Sequence, residues 1–177
     1  MPTDLGFIAS SYYLKNITVK KFTDNMTDNM EYPALLRLMS DAEEFKETPL
    51  RHNEDIHNKE LSDVAPFKAK NFSSPQDKTF LLLQMHLFNL PFPIRDYLND
   101  CKLILDSCGR VIIGLIDIAK NKRYLNTLMT CIRIQQTIYQ GLGCNIPYIT
   151  YDIWKKIEKK YQGLAGVIER LHKNPTF

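Results

Sequence analysis

Residues 40–61 read SDAEEFKETPLRHNEDIHNKEL, and residues 81–87 read LLLQMHL. The first string is a charged loop, rich in hydrogen-bonding side chains, set between apolar helical stretches. Upstream of the loop, Tyr32, Leu35, Leu36, Met39, Ala42 and Phe45 follow a three-four rhythm that predicts an amphipathic helix over 32–46. Thr48-Pro49 stops it, because the residue before a proline avoids the α region. A short helix over 54–64 follows, then a polar loop over 65–77. That loop ends in a start signal, Ser74-Pro75-Gln76-Asp77. Serine as N-cap, proline at the first helical position and an acid soon after suit the exposed amides and positive end of a helix. The helix it opens, 75–90, contains LLLQMHL and is broken by Pro91 and Pro93.

Helical spacing continues in both directions. Ile8, Tyr12, Tyr13 and Ile17 predict one helix or two short ones over 7–22. Residues 96–120 form the longest helix, and 124–140 another that Gly141 and Gly143 end. After Pro147, Thr150 caps a helix ending near Tyr161, and Gly163 turns the chain into a last one. Glycine is sparse, seven in all, and no sustained alternation marks a half-buried strand. The fold class is therefore all-α: a bundle of about seven helices over 1–143, followed over 147–177 by the incomplete start of a helix–loop–helix domain.

At 177 residues the chain fits one domain, or one and the beginning of a second, and 44% hydrophobic residues suffice for a real core. No apolar run reaches the roughly 18 residues of a membrane-spanning helix, and MPTDLGFIAS lacks the basic-then-apolar order of a secretory signal. No membrane partner is expected. Cys101, Cys108, Cys131 and Cys144 form no CxxC pair, and three lie in apolar helical segments where a thiol acts as a small hydrophobe. Zinc and disulfides are thus disfavoured, and a reducing compartment, nucleus or cytoplasm, is expected. The net charge of +3 is uneven. Residues 1–90 carry 10 Lys+Arg against 13 Asp+Glu, whereas residues 91–177 carry 13 against 7. The basic second half is either a phosphate-facing side or a solvated lysine-rich face.

Catalytic signatures are missing. There is no GxxxxGK[ST] loop to cradle a nucleoside triphosphate, no HExxH, and no Ser-His-Asp or Cys-His spacing. His52 and His57 are a poor match to a metal pair on one helical face. Arg51, His52, Asn53, Glu54 and Asp55 read as a structural loop that satisfies backbone groups and caps a helix start. No catalytic residue, metal site or cofactor of its own is assigned to this chain, which alone reads as no enzyme.

The longest helix has a distinctive surface. From Val111 to Ala119 it is apolar on nearly every face apart from Asp117, as suits a helix enclosed by others. Gly109 and Gly114 each cost roughly 1 kcal/mol of helix stability relative to alanine, which points to close approach by a neighbouring helix or a strand of nucleic acid. Lys102, Asp106, Arg110 and Asp117 make one polar stripe.

Several strings together resemble one family. LGFIASSYYLKNITVKKF, SDAEEF, PLRHNED, LLLQMHL, IRIQQTIYQG and IPYITYDIWKKIEKKYQGLAGVIERL are similar to the Sec-63-type helical domain of Ski-like and spliceosomal DExH RNA helicases. Within that family the SDAEEF and PLRHNED strings are most similar to the activating signal cointegrator complex branch and its fungal ribosome-quality-control relatives, then to the spliceosomal RNA-unwinding branch. Phe7 stands where the family often has arginine, Asn121-Lys122-Arg123-Tyr124 replaces a shorter, less basic turn, and Gly141-Leu142-Gly143 sits where a bulky aromatic is common. The chain also stops before the family's immunoglobulin-like domain and lacks the two ATPase lobes.

The resemblance implies an accessory domain of an ATP-dependent RNA helicase, whose ATP and Mg sit elsewhere in the parent enzyme. The implied partners are the motor lobes, single-stranded RNA or DNA, and other subunits of a helicase complex. In the wider superfamily a long, ratchet-like helix of this bundle lies across the channel where the unwound strand exits, and the resemblance places it at 96–120, guiding the strand while the bundle braces the motor lobes. Lys102 then contacts a phosphate, and Arg110 a phosphate or a base. The alternative for Arg110 is pairing with Asp106 or Asp117. Arg133, beside Gln135, Gln136 and Gln140, and Lys155 and Lys156, beside Trp154, are further candidate nucleic-acid contacts; for Lys155 and Lys156 a solvated lysine cluster is the better reading. The competing functional reading is a protein–protein scaffold, of translocon or complex-assembly type, that touches no nucleic acid.

Overall fold

The computed structural model describes residues 3–140, 153, 156, 157, 159, 160 and 164–173. Among these the secondary structure is helical without strands: α1 (Asp4–Ser11), α2 (Asn16–Asn25), α3 (Tyr32–Ser40), α4 (Glu54–Val64), α5 (Pro75–Leu87), α6 (Arg95–Asn121), α7 (Leu125–Gln140) and α8 (Leu164–Lys173). A single 3-10 turn, Glu43–Phe45, joins them. The all-α expectation holds. The helix expected from Thr150 to Tyr161 falls largely outside the described residues. No described helix is both long and apolar enough to cross a membrane.

The amino-terminal segment resolves into two helices. Thr3 caps α1 by accepting the Gly6 N–H at 3.2 Å. The chain then turns through Tyr13, whose φ of 51° is left-handed, and this separates α1 from α2. Leu14 emerges from that corner buried in the core.

The helix expected over 32–46 is shorter than its apolar rhythm suggests, because polar groups interrupt it at Ser40. Ser40 Oγ donates back to the Leu36 carbonyl at 2.9 Å, and Asp41 caps the end. The following 3-10 turn is fastened to α2: the Glu43 N–H donates to Thr18 Oγ at 3.0 Å, and the Thr18 hydroxyl donates to the Glu44 carboxylate. Ala42 and Phe45 continue the apolar face, so the periodicity persists although the helix does not.

α5 is the axis of the fold. Its residues from Asp77 to Met85, and Leu87, are all buried, and it packs against α3, α4, α6 and α7. The Ser74 hydroxyl accepts the Asp77 N–H at 3.3 Å, so the expected start signal operates. Its one buried amide is satisfied by a loop: Gln84 accepts from the Phe67 N–H at 2.8 Å and donates to the Phe67 carbonyl at 3.0 Å. The helix ends three residues before the expected boundary, at Leu87, and Asn89 just beyond it takes a left-handed φ of 50°. After the prolines, α6 runs for 27 residues, about 40 Å at 1.5 Å per residue. A tight turn through Arg123 (φ 59°) sends α7 back along it. Met30 and Thr127 join the α2–α3 loop to α7 through a 3.0 Å hydrogen bond. One continuous core links all of α1 to α7.

Candidate nucleic-acid interface

The long helix α6 is pinned along one side and open along the other. Near its amino end the pin is ionic. Lys78, on α5, is 0% exposed and donates to Glu54 Oε2 at 2.7 Å, Asp100 Oδ2 at 2.7 Å and the Pro49 carbonyl at 2.6 Å. Its ammonium also lies 4.7 Å from the centre of the Tyr97 ring. Arg51 completes the cluster. It grips Asp100 with both terminal nitrogens, at 2.7 and 3.0 Å, and Glu54 at 2.9 Å. Two cations thus face two carboxylates, so the buried charge is balanced. The Tyr97 hydroxyl donates to Asn58 at 2.8 Å, and Asn58 donates to the Phe72 carbonyl at 2.8 Å, which ties α4, α6 and the 65–74 loop together.

Burial alone would raise the Asp100 and Glu54 pKa values. The hydrogen bonds from Arg51 and Lys78 outweigh it and hold both carboxyls below their ordinary range. The same bonds, to Asp100 first and then Glu54, push Arg51 further up. Within the RHNED loop, Arg51 and Glu54 therefore belong to the ionic cluster, and Glu54 also accepts the Arg51 N–H at 3.0 Å. Asn53 occupies the N-cap position of α4 in a left-handed conformation (φ 64°) without a side-chain cap, and His52 and Asp55 are exposed. Lys78 and Asp100 were missed in the sequence. The available signal was a lysine inside an otherwise apolar helix, which has to be paired when buried.

Toward its carboxyl end α6 is held by the α1–α2 corner. A Cβ on Gly114 would collide with Leu14 Cδ1, so the missing side chain makes room for Leu14 and not for nucleic acid. The Tyr12 hydroxyl donates to Asp117 at 2.6 Å, and this bond, with burial, raises the tyrosine pKa. Arg110 pairs with neither Asp106 nor Asp117. It donates to the Tyr13 carbonyl and, at 3.4 Å, to Ser107 Oγ. Both pairings considered for Arg110 within its own helix are thus replaced by a clamp on the corner.

Lys102 is exposed and makes no ion pair among the described residues. Lys120 lies on the same line of α6, about five turns further on at 3.6 residues per turn. Gly109 is on that line too, and a Cβ there would stand 3.4 Å from the Tyr139 hydroxyl of α7. Arg133 is exposed on α7, but sits roughly 120° around that helix from Tyr139, so it serves a different face. Lys156 is exposed; Lys155 lies outside the described residues, as does Cys144. Beside the Lys102 half of α6 is a small cleft of about 130 Å³ bordered by Glu44, Glu47, Leu103 and Ser107. Beside the Lys120 half is a wider one of about 400 Å³, bordered by Asp4, Phe7, Asp117, Lys120 and Arg123. The three described cysteines are buried in the core; burial pushes Cys101 and Cys131 up to about 12, and Cys108 also up. Among the described residues no group of His, Cys, Asp and Glu is arranged to hold a metal ion.

Comparison with known proteins matches this sequence to a family. The profile of the Sec63 Brl domain matches residues 2–169. The chain is 40% identical over 141 residues to activating signal cointegrator 1 complex subunit 3 of Dictyostelium discoideum, covering 80% of this chain and 6% of that protein. It is 40% identical over 143 residues to the DExH-box ATP-dependent RNA helicase DExH14 of Arabidopsis thaliana, covering 80% of this chain and 7% of that protein. To the RQC trigger complex helicase SLH1 of Saccharomyces cerevisiae it is 34% identical over 143 residues, covering 76% of this chain and 7% of that protein. The chain thus corresponds to a small segment of each of these long relatives. With nearly its whole length matched by that profile, the chain belongs to the Sec63 Brl domain family.

Proposed function

We propose that this chain is an accessory domain of an ATP-dependent RNA helicase, in which the open face of α6 guides single-stranded nucleic acid while the bundle braces the motor lobes. In this reading ATP and Mg belong to those lobes, and the isolated chain hydrolyses no ATP. The observation that carries it is the line of α6 on which Lys102 and Lys120 are exposed, without ion pairs among the described residues, on a helix fixed along its other side. Cations spaced along a rigid rod hold a phosphate backbone without reading sequence. The names of the relatives, among them a DExH-box ATP-dependent RNA helicase and an RQC trigger complex helicase, support the same reading.

Titration of the 177-residue chain with single-stranded RNA at two salt concentrations is the test. The expected result is weak binding that salt lowers steeply and that the charge reversal Lys102→Glu/Lys120→Glu abolishes. Arg110 is a poor choice for this reversal, because its loss would also release the Tyr13 carbonyl. Absence of salt-dependent binding would instead favour the scaffold reading, which the exposed Leu98 and Leu103 on the first half of α6 support.

A further inference from the structure

We propose that Phe7, Tyr13 and Tyr139 are stacking platforms for the unpaired bases of a single strand lying along α6, an inference that rests on the guiding role above and names how the strand is held. Among the described residues the large aromatic side chains left exposed are these three: Phe7 at 65%, Tyr13 at 83% and Tyr139 at 69%. They come from three different places in the chain, α1, the α1–α2 corner and α7. Each nevertheless sits beside the Gly109–Lys120 half of α6.

The placement follows from contacts already described. Tyr139 reaches over Gly109, where its hydroxyl would stand in ordinary contact with a Cβ. One residue further along α6, Arg110 holds the Tyr13 carbonyl, which fixes the corner that presents the Tyr13 ring. Phe7 borders the cleft with Asp117, Lys120 and Arg123. On the helical wheel, Gly109 and Ile113 lie within about 20° of the line of α6 through Lys102 and Lys120. Tyr139 lies at one flank of that line, and the Arg110–Tyr13 corner at the other. The platforms are spread over the stretch from Gly109 to Lys120, about 16 Å of helix axis at 1.5 Å per residue. That is room for successive bases of an extended strand.

Exposed aromatic rings alternating with cations are what a sequence-tolerant single-strand site needs, since every base has a face to stack and every nucleotide a phosphate. Lys120 and Arg123, both exposed, supply the cations. The two acids of this half are partly accounted for: Asp117 accepts from the Tyr12 hydroxyl, which leaves Asp4 as the exposed carboxylate in the cleft. The Lys102 half differs. Its neighbouring cleft has Glu44 and Glu47 at the border and no exposed aromatic residue, so bases are held at the Lys120 half.

The experiment compares two strands of equal length and charge, an oligouridine and its abasic counterpart, titrated against the full chain and against Phe7→Ala/Tyr13→Ala/Tyr139→Ala. The wild-type chain is expected to bind oligouridine more tightly than the abasic strand. The triple variant should lose affinity for oligouridine by about tenfold or more while its affinity for the abasic strand and its salt slope stay unchanged. A Phe7→Leu/Tyr13→Leu/Tyr139→Leu variant keeps apolar bulk without rings and should behave like the alanine variant; circular dichroism confirms that both are folded. If wild type binds both strands equally, or the variants bind oligouridine as wild type does, stacking is overturned while the guiding role stands. If wild type binds neither strand, both fall.

Discussion

Replacing Lys78 by methionine tests whether the ionic cluster holds the bundle together. Methionine keeps most of the length and the apolar stem but removes the ammonium. Glu54 and Asp100, both nearly fully buried, would then share Arg51 alone, and the Pro49 carbonyl would lose its donor. The site would carry a net negative charge where it now carries none. Removing one partner of a buried charge cluster costs about 3–5 kcal/mol, because the remaining charge stays desolvated. For a domain of this size, 1 kcal/mol moves Tm by about 2–4 °C, so a fall on the order of 10 °C is expected.

The pH dependence separates charge from packing. Glu54 and Asp100 have folded pKa values held below their unfolded ones. The stabilisation they contribute is therefore fully present above the unfolded carboxylate range, about pH 4, and is lost as pH falls through the folded values. Without Lys78 both carboxyls take up protons more readily, so the deficit of Lys78→Met should be largest at neutral pH and shrink toward pH 4. Adding Asp100→Asn should recover part of it, since Arg51 and Glu54 then balance. Urea unfolding of the three proteins at pH 7 and near pH 4.5, followed by circular dichroism, measures each term. A loss below about 1 kcal/mol, the scale of an exposed pair, would refute the reasoning. So would a loss that does not change with pH.

Other outcomes follow from single contacts. Gly114→Ala should destabilise by about 1–3 kcal/mol, since its Cβ meets Leu14 in a packed core, whereas Gly109→Ala should be neutral or stabilise by up to about 1 kcal/mol from helix propensity; paired urea titrations compare them. Ser74→Ala should cost about 1 kcal/mol through loss of the α5 cap, read as a lower urea midpoint with unchanged slope. Cys101, Cys108 and Cys131 should resist maleimide at pH 8 until the chain unfolds, because burial both shields the thiols and disfavours the thiolate; peptide mapping at those three positions checks it.

Much of the fold was legible because apolar periodicity and stop signals agree. Ser74-Pro75 marked the start of α5 correctly, and Pro91 and Pro93 marked the gap before α6. Where polar side chains compete for the backbone, periodicity misled. Ala42 and Phe45 keep the helical rhythm, yet Ser40 and the Thr18–Glu44 pair had already converted the chain to a 3-10 turn. Long-range polar partners were the least legible. Nothing local announces that Lys78 meets Asp100 22 residues later, or that Arg110 reaches back 97 residues to Tyr13. The glycines show the same limit: Gly109 and Gly114 both signalled close approach, but only the fold reveals that one accommodates an exposed tyrosine and the other a buried leucine.

The two sets of fastenings on α6 suit the guiding role proposed for it better than either alone. A guide for a polynucleotide has to resist being bent or pulled away, and a 27-residue helix lying on a surface could fray from either end. Asp100, one turn into α6, is locked by two cations from α5 and the loop before α4, while Asp117, one turn before its end, is locked by Tyr12. Between them, Leu14 is packed against Gly114 and Arg110 closes the corner. Every one of these contacts lies to one side of the line through Lys102, Gly109 and Lys120. The rod is therefore held without covering the face that carries its free cations, and the exposed rings come from the elements that hold it. Exposed rings and exposed cations both lie on or beside the Gly109–Lys120 half of this helix, a combination that a surface built only to dock proteins does not need, and that is why the nucleic-acid reading is preferred.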